Sequence, residues 1–220
     1  MRRSGVPMAY SAGFSPHPKI SYANAAPTGT ASEAEYLEIG VAAPCDPADL
    51  RDRLDAALPP GLDVLEVVEA RTPDFVQRLE ASRWRLELRG LDESSLREAL
   101  DALLAAEGVE VERLTKNGLR RFEVRPALLD AWVTPAEATS TAPRAASGIT
   151  PDPCAILHVV LRQATPAVRP DDVLAALRSV AGLVPPVPPL VTREAQGPLA
   201  ENGNAGEISL GDPLAADREA

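Results

Sequence analysis

The chain has little of what metal, redox and nucleophilic chemistry usually need. Cys45 and Cys154 are its only cysteines, and His17 and His158 its only histidines. Two single cysteines far apart exclude a disulfide framework and a CxxC metal clamp, and they fit a reducing compartment. With two histidines they make no structural zinc site, so neither a metal nor a cofactor is expected. A GxxxxGK[ST] loop, a GxGxxG turn after a strand, an HExxH helix and a GxSxG elbow are all missing, which argues against nucleotide hydrolysis and hydride transfer. No window approaches the roughly eighteen apolar residues that cross a bilayer, and "MRRSGVPMAY" has no apolar signal core. The sequence therefore reads as soluble and cytoplasmic, with no membrane partner.

Enough apolar residues remain, 45% of 220, to bury one large core or two small ones. The net charge of -10 opposes indiscriminate binding to polyanions. That charge is unevenly spread, because no Asp or Glu occurs between Met1 and Ser32, where Arg2, Arg3 and Lys19 lie. Lysine is scarce as well, with only Lys19 and Lys116.

Hydrophobic spacing gives an order of elements. "KISYANA" and "EYLEIGV" read as short strands. Asp46 followed by Pro47 starts a helix with Leu50, Leu54, Ala57 and Leu58 inward, and the β-branched "LDVLEVVEA" reads as a strand after "PPG". "RWRLELRG" then alternates like a half-buried strand, and Asp92 caps a helix carrying Leu96, Leu100, Leu103 and Leu104 on one face. In "VEVERLTKNGLRRFEVR" the pair Asn117-Gly118 suits a two-residue hairpin turn, which would set Val111 opposite Val124 and Arg113 opposite Phe122. "CAILHVVLRQA" reads as a strand, Pro170 to Gly182 as a helix, and "VPPLVTREA" as a final edge strand, where prolines are tolerated.

This order predicts an α+β protein of two ferredoxin-like (split βαβ) lobes in tandem. The first, residues 1–72, lacks its opening strand and most of its first helix, "MRRSG" reading as that helix's last turn, and its sheet is expected to leave an apolar face uncovered. The second spans 83–195 with a flexible Ala/Thr/Ser/Pro-rich insertion at 134–153, and 196–220 reads as a disordered acidic tail.

The most distinctive local stretch is "GFSPHPKISYA". Pro16 and Pro18 fix their own φ and push Ser15 and His17 out of the helical region, so the segment is stiff and extended or turning. A stiff backbone presents Phe14, His17 and Lys19 with little entropy left to lose on binding. Phe14 can anchor the loop or stack on a base, Lys19 can meet a phosphate, and His17 is the residue for acid, base or phosphate-donor chemistry if any occurs here. A purely architectural loop, with Phe14 in a core, is the plainer alternative. A second cluster, Arg113, Lys116, Arg120, Arg121 and Arg125, can grip phosphate, although the interleaved Glu112 and Glu123 suit an ordinary solvated face. His158 in "ILHVVL" reads as a strand residue satisfied by its surroundings.

The block from Gly5 to Val41 resembles the bacterial radical-SAM-linked domain family. It carries that family's Gly-Phe-Asn/Ser-Pro-His-Pro-Lys/Arg core at Gly13 to Lys19, its Glu-Tyr-Leu segment at Glu35 to Leu37 and its "LPPGL" run at Leu58 to Leu62. Members begin with a strand and helix that this sequence lacks. The resemblance implies an accessory that holds or presents a substrate for a radical-SAM partner, and it supplies no mechanism. Lacking CxxxCxxC, the chain itself offers no site for the three-cysteine cluster such partners use. Three expectations result: a non-catalytic accessory or substrate-binding module that contacts RNA, a metal-independent endoribonuclease akin to the RAMP proteins using His17, and a purely structural docking protein.

Overall fold

The computed structural model describes residues 2–115, 118–136, 153–200 and 208–219. Its strands and helices in chain order are β1 (Ile20–Ala23), β2 (Ala31–Ser32), β3 (Tyr36–Ile39), α1 (Pro47–Asp55), β4 (Ala81–Arg89), α2 (Glu93–Ala105), β5 (Glu110–Thr115), β6 (Gly118–Glu123), β7 (Leu128–Pro135), β8 (Cys154–Arg162), α3 (Pro170–Ala181), β9 (Leu190–Gly197), β10 (Leu199–Ala200), β11 (Ser209–Leu210) and α4 (Ala215–Glu219). The architecture is mixed α+β, in two compact units. One comprises Met1–Ala25, Glu35–Arg78 and Asp212–Ala220, the other Ala26–Ala34 and Leu79–Gly211. Neither unit follows a single cut in the chain.

In the first unit β1 and β3 pair antiparallel, with Ile20 opposite Ile39 and Tyr22 opposite Leu37. Helix α1 begins where the sequence places it, because the Asp46 carboxylate accepts from Ala48 N at 2.8 Å and Asp49 N at 3.1 Å, satisfying two donors of the first turn. Its Leu50 and Leu54 bury with Val6, and Met8, Ile39, Val41, Val64 and Val67 pack around them. The strand expected over "LDVLEVVEA" does not form. Val64 and Val67 tuck against that core while Leu65 faces solvent, and no strand pairs with the segment. β-Branched content fits a residue to a pleated surface but cannot provide a partner strand.

The tail was expected to be structureless, yet within 208–219 lie β11 and α4. Asp217 is buried, and its carboxylate accepts from Arg71 N at 3.0 Å, Thr72 N at 2.8 Å, Thr72 Oγ1 at 2.6 Å and Arg78 at 2.6 Å. An acidic, glycine-bearing segment is held here by the Asp217 carboxylate with four donors, by Arg218 on Glu66 at 2.5 Å and by the pairing of β11 with β10, which composition does not reveal.

The second unit holds a sheet ordered β2-β9-β4-β8-β7, in which only the β2–β9 pair is parallel. Trp84, Leu86 and Leu88 of β4, Leu157, Val159 and Leu161 of β8, and Val133 of β7 share a core with Leu96, Leu100 and Leu103 of α2 and Val173, Ala176 and Leu177 of α3. Period-two alternation in the strands and helical spacing in α2 and α3 put these residues on facing surfaces. Asp92 caps α2 through Ser95 N at 2.9 Å, and Gly182 closes α3 at φ 68°, a left-handed conformation that costs glycine little.

Three expectations are corrected in this unit. The hairpin β5–β6 forms, but as a separate two-stranded sheet with Val111 opposite Phe122 and Arg113 opposite Arg120 instead of the expected Val111–Val124 and Arg113–Phe122 pairs, and Asn117 of the expected turn lies outside the described residues. A strand the sequence reading missed, β7 ("LLDAWVTP"), pairs with β8 in the main sheet instead. Finally, β9 is not at an edge, because the two-residue β2 pairs along its other side. Pro185, Pro186, Pro188 and Pro189 all precede β9, so its ladder loses no donor. Most of the insertion expected at 134–153 lies outside the described residues, but Thr134 and Pro135 belong to β7.

Candidate functional site: an exposed Phe-His-Lys loop

Every residue from Tyr10 to Lys19 is exposed. The segment is nonetheless held. Ser11 N donates to His17 O at 2.8 Å, and His17 N donates to Ser11 Oγ at 3.0 Å, closing a loop over residues 11–17. Below it Lys19 N donates to Ala9 O at 2.9 Å, Ala9 N to Gly40 O at 2.8 Å and Gly40 N to Lys19 O at 2.9 Å, so the loop's base is tied to the end of β3. Gly13 at φ 118° provides the one backbone conformation in this loop that a side chain would resist.

The Phe14 ring is fully exposed, on the same loop as the exposed His17 and near Lys19. A phenylalanine presented wholly to water gains nothing from folding and is available to a partner surface. The architectural alternative, with Phe14 buried in a core, does not describe this loop.

The arginine cluster lies in the other unit and behaves differently. Arg113 turns inward, donating to Asp172 at 2.6 Å and to Ala167 O at 3.1 Å, with its guanidinium 4.7 Å from the Phe122 ring centroid. Arg121 pairs with Glu112 at 2.5 Å, and Arg125 reaches Leu104 O at 3.4 Å near the end of α2. Arg120 is exposed, while Lys116 lies outside the described residues. Thus three of the five cations are taken up by intramolecular contacts, and Arg113 is part of the second unit's packing.

His158 sits at the centre of a set that sequence reasoning did not assemble. Across the strands it lies opposite Arg85 of β4 and Trp132 of β7, its ring stacked on Trp132 with centroids 4.9 Å apart and planes 4° from parallel. Its Nε2 is 3.2 Å from Thr134 Oγ1, and its Nδ1 is 3.8 Å from Glu194, too far for a hydrogen bond. That Nδ1 is buried and has no hydrogen-bond partner. Burial lowers the imidazole's pKa, opposed by the Glu194 charge and reinforced by Arg85 and Arg83. The alternation of "ILHVVL" signals that His158 faces away from Leu157 and Val159, but its neighbours come from three strands whose register no local pattern gives.

Residues 1–170 match the family described as "Uncharacterized protein conserved in bacteria (DUF2344)", and the chain belongs to that family. The matched span takes in the whole exposed loop and the second unit as far as the start of α3. No curated protein and no solved structure matches the chain. Among the described residues no helix is long and apolar enough to cross a membrane.

Proposed function

We propose that the protein is a non-catalytic accessory or substrate-binding module working with a radical-SAM enzyme, that the Tyr10–Lys19 loop is its contact surface, and that the ligand it meets is RNA. The observation that carries this reading is the fully exposed Phe14, on a braced loop with exposed His17 and Lys19. A base can stack on the phenyl ring while the ammonium meets a phosphate. The absence of Asp and Glu from the first thirty-two residues supports it, since the rest of the chain would repel a polyanion. The radical-SAM partner rests on the sequence resemblance of Gly13–Lys19 and Glu35–Leu37.

Residues 83–195 are read as a ferredoxin-like lobe. Taking β4, β7, β8 and β9 as its four strands, with α2 and α3 between them, the antiparallel order β9-β4-β8-β7 supports that plan.

Anisotropy titration of a labelled single-stranded RNA against the full chain, over a series of salt concentrations, tests the RNA assignment. Affinity is expected to fall as salt rises, and Phe14→Ala is expected to weaken binding by about 1–3 kcal/mol, the usual contribution of one base–aromatic stack. Because the ring contacts nothing that folding needs, the variant's melting curve should be unchanged. Salt-independent binding, or equal binding by wild type and Phe14→Ala, rejects RNA at this loop. Cleavage of the RNA that His17→Ala abolishes without loss of binding would make the protein the endoribonuclease of the second expectation.

A further inference from the structure

The non-catalytic contact surface is the exposed loop of the first unit; the His158 cluster belongs to the second unit and carries an activity separate from that loop. A histidine merely satisfied in a strand would have both ring nitrogens hydrogen-bonded. Here only Nε2 is, to Thr134 Oγ1, while Nδ1 faces the Glu194 carboxylate across 3.8 Å. Glu194 reaches that position because β9 bulges. Arg83 pairs with Ala195 and Trp84 with Arg193, leaving Glu194 as the extra residue. A bulge of this kind re-aims a side chain. Arg83 Nε lies 3.4 Å from the same Glu194 oxygen, and it too is buried without a hydrogen bond.

We propose that Thr134, His158 and Glu194 form a proton-relay site for acyl transfer, acting on a short ester or thioester. The polarity of the hydrogen bonds fits. With the proton on Nδ1, facing the carboxylate, Nε2 is free to accept from the Thr134 hydroxyl, the arrangement in which an imidazole serves as general base to a nucleophile. In the first half-reaction Thr134 Oγ1 bonds to the carbonyl carbon, its proton passes to His158 Nε2, and the leaving alcohol or thiol takes that proton as its bond to carbon breaks. In the second, water attacks the threonyl ester with His158 again accepting and returning one proton. The products are the carboxylic acid and the original hydroxyl. Glu194 offsets the transient imidazolium as a positioning residue, while Arg85, opposite His158 on β4, is held by Glu87 at 2.6 Å. Trp132, stacked on the ring, fixes its plane.

The test uses the full chain and p-nitrophenyl acetate. The expected result is a burst of nitrophenolate with an acetyl group on the peptide containing Thr134. Thr134→Val and His158→Gln are expected to lower the burst rate at least ~100-fold, the usual scale of general-base assistance, and Thr134→Ser to retain it. Glu194→Gln should move the acid limb of the pH–rate profile to lower pH, because removing the carboxylate's charge makes the imidazole harder to protonate. Acetylation confined to Lys19, Lys116 and the N-terminus overturns the proposal, as does a burst rate unaffected by Thr134→Val. If His158→Gln fails to fold, the near-isosteric Thr134→Val and Thr134→Ser pair decides the matter by itself.

Discussion

Replacing Arg113 by alanine distinguishes a packing role from a binding role at the hairpin. Asp172 is 4% exposed and accepts from Arg113 at 2.6 Å and from Arg169 N at 2.7 Å, where it caps α3. Burial raises the Asp172 pKa, against the lowering effects of the Arg169 amide and of Arg113. Removing one partner of a buried ion pair costs roughly 3–5 kcal/mol, because the remaining charge is left uncompensated. The Arg113 side chain keeps 20% of its exposure, so the lower end, about 3 kcal/mol, is expected. In urea, at roughly 1–3 kcal/mol per molar, that lowers the midpoint by about 1–3 M, read by the fluorescence of Trp84 and Trp132, both in this unit.

The pH dependence gives a second readout. The unfolded carboxyl titrates near 3.8, and the folded one titrates higher. Above both values the folded state bears the burial cost of the charge. Below the folded value it binds the proton and the cost disappears. Loss of Arg113 raises the folded value further, so the destabilisation is greatest at neutral pH and shrinks on acidification. A loss under about 1 kcal/mol that is constant with pH would refute the reasoning. A loss of RNA affinity with unchanged stability would return Arg113 to the binding surface.

Protonation of His158 should quench the indole stacked on it, so the emission of Trp132 in a Trp84→Phe background is expected to fall on acidification with a midpoint below 6.5. The folded pKa is lowered, so this group's contribution to stability is present above the unfolded value and lost as pH falls through the folded one. A midpoint at or above 6.5 contradicts the burial argument. Asp217→Asn should loosen α4 and speed hydrogen exchange at the Arg71 and Thr72 amides, since each donates to that carboxylate. The burial of Asp217 would raise its pKa, but donors from Thr72 and Arg78 bring it below the carboxylate range, so their contribution holds at neutral pH and fades in strong acid. Gly90→Ala should destabilise by roughly 1–3 kcal/mol in thermal melts, because φ there is 79° and a Cβ would clash with Pro186 Cγ. An unchanged melting temperature would mean that the Pro186 loop yields freely.

Local signals fixed α1, α2 and α3 but not α4, and Leu58 and Leu104, expected inward, are exposed. Asp46, Asp92, Pro170 and Gly182 act on their own turn of backbone, and the leucine spacing of α1, α2 and α3 needs only the helical period to pick out the buried face. The exposed loop was also legible, because prolines restrict their own neighbours whatever surrounds them. Strand pairing was not. Whether "LDVLEVVEA" or "LLDAWVTP" became a strand depended on which had a neighbour with free donors and acceptors, and that is set by segments distant in the sequence. The same holds for the arginines and for His158. A side chain's charge is written in the sequence, but whether it meets solvent, as Lys19 does, or a buried carboxylate, as Arg113 does, follows from the register of strands and the packing of helices.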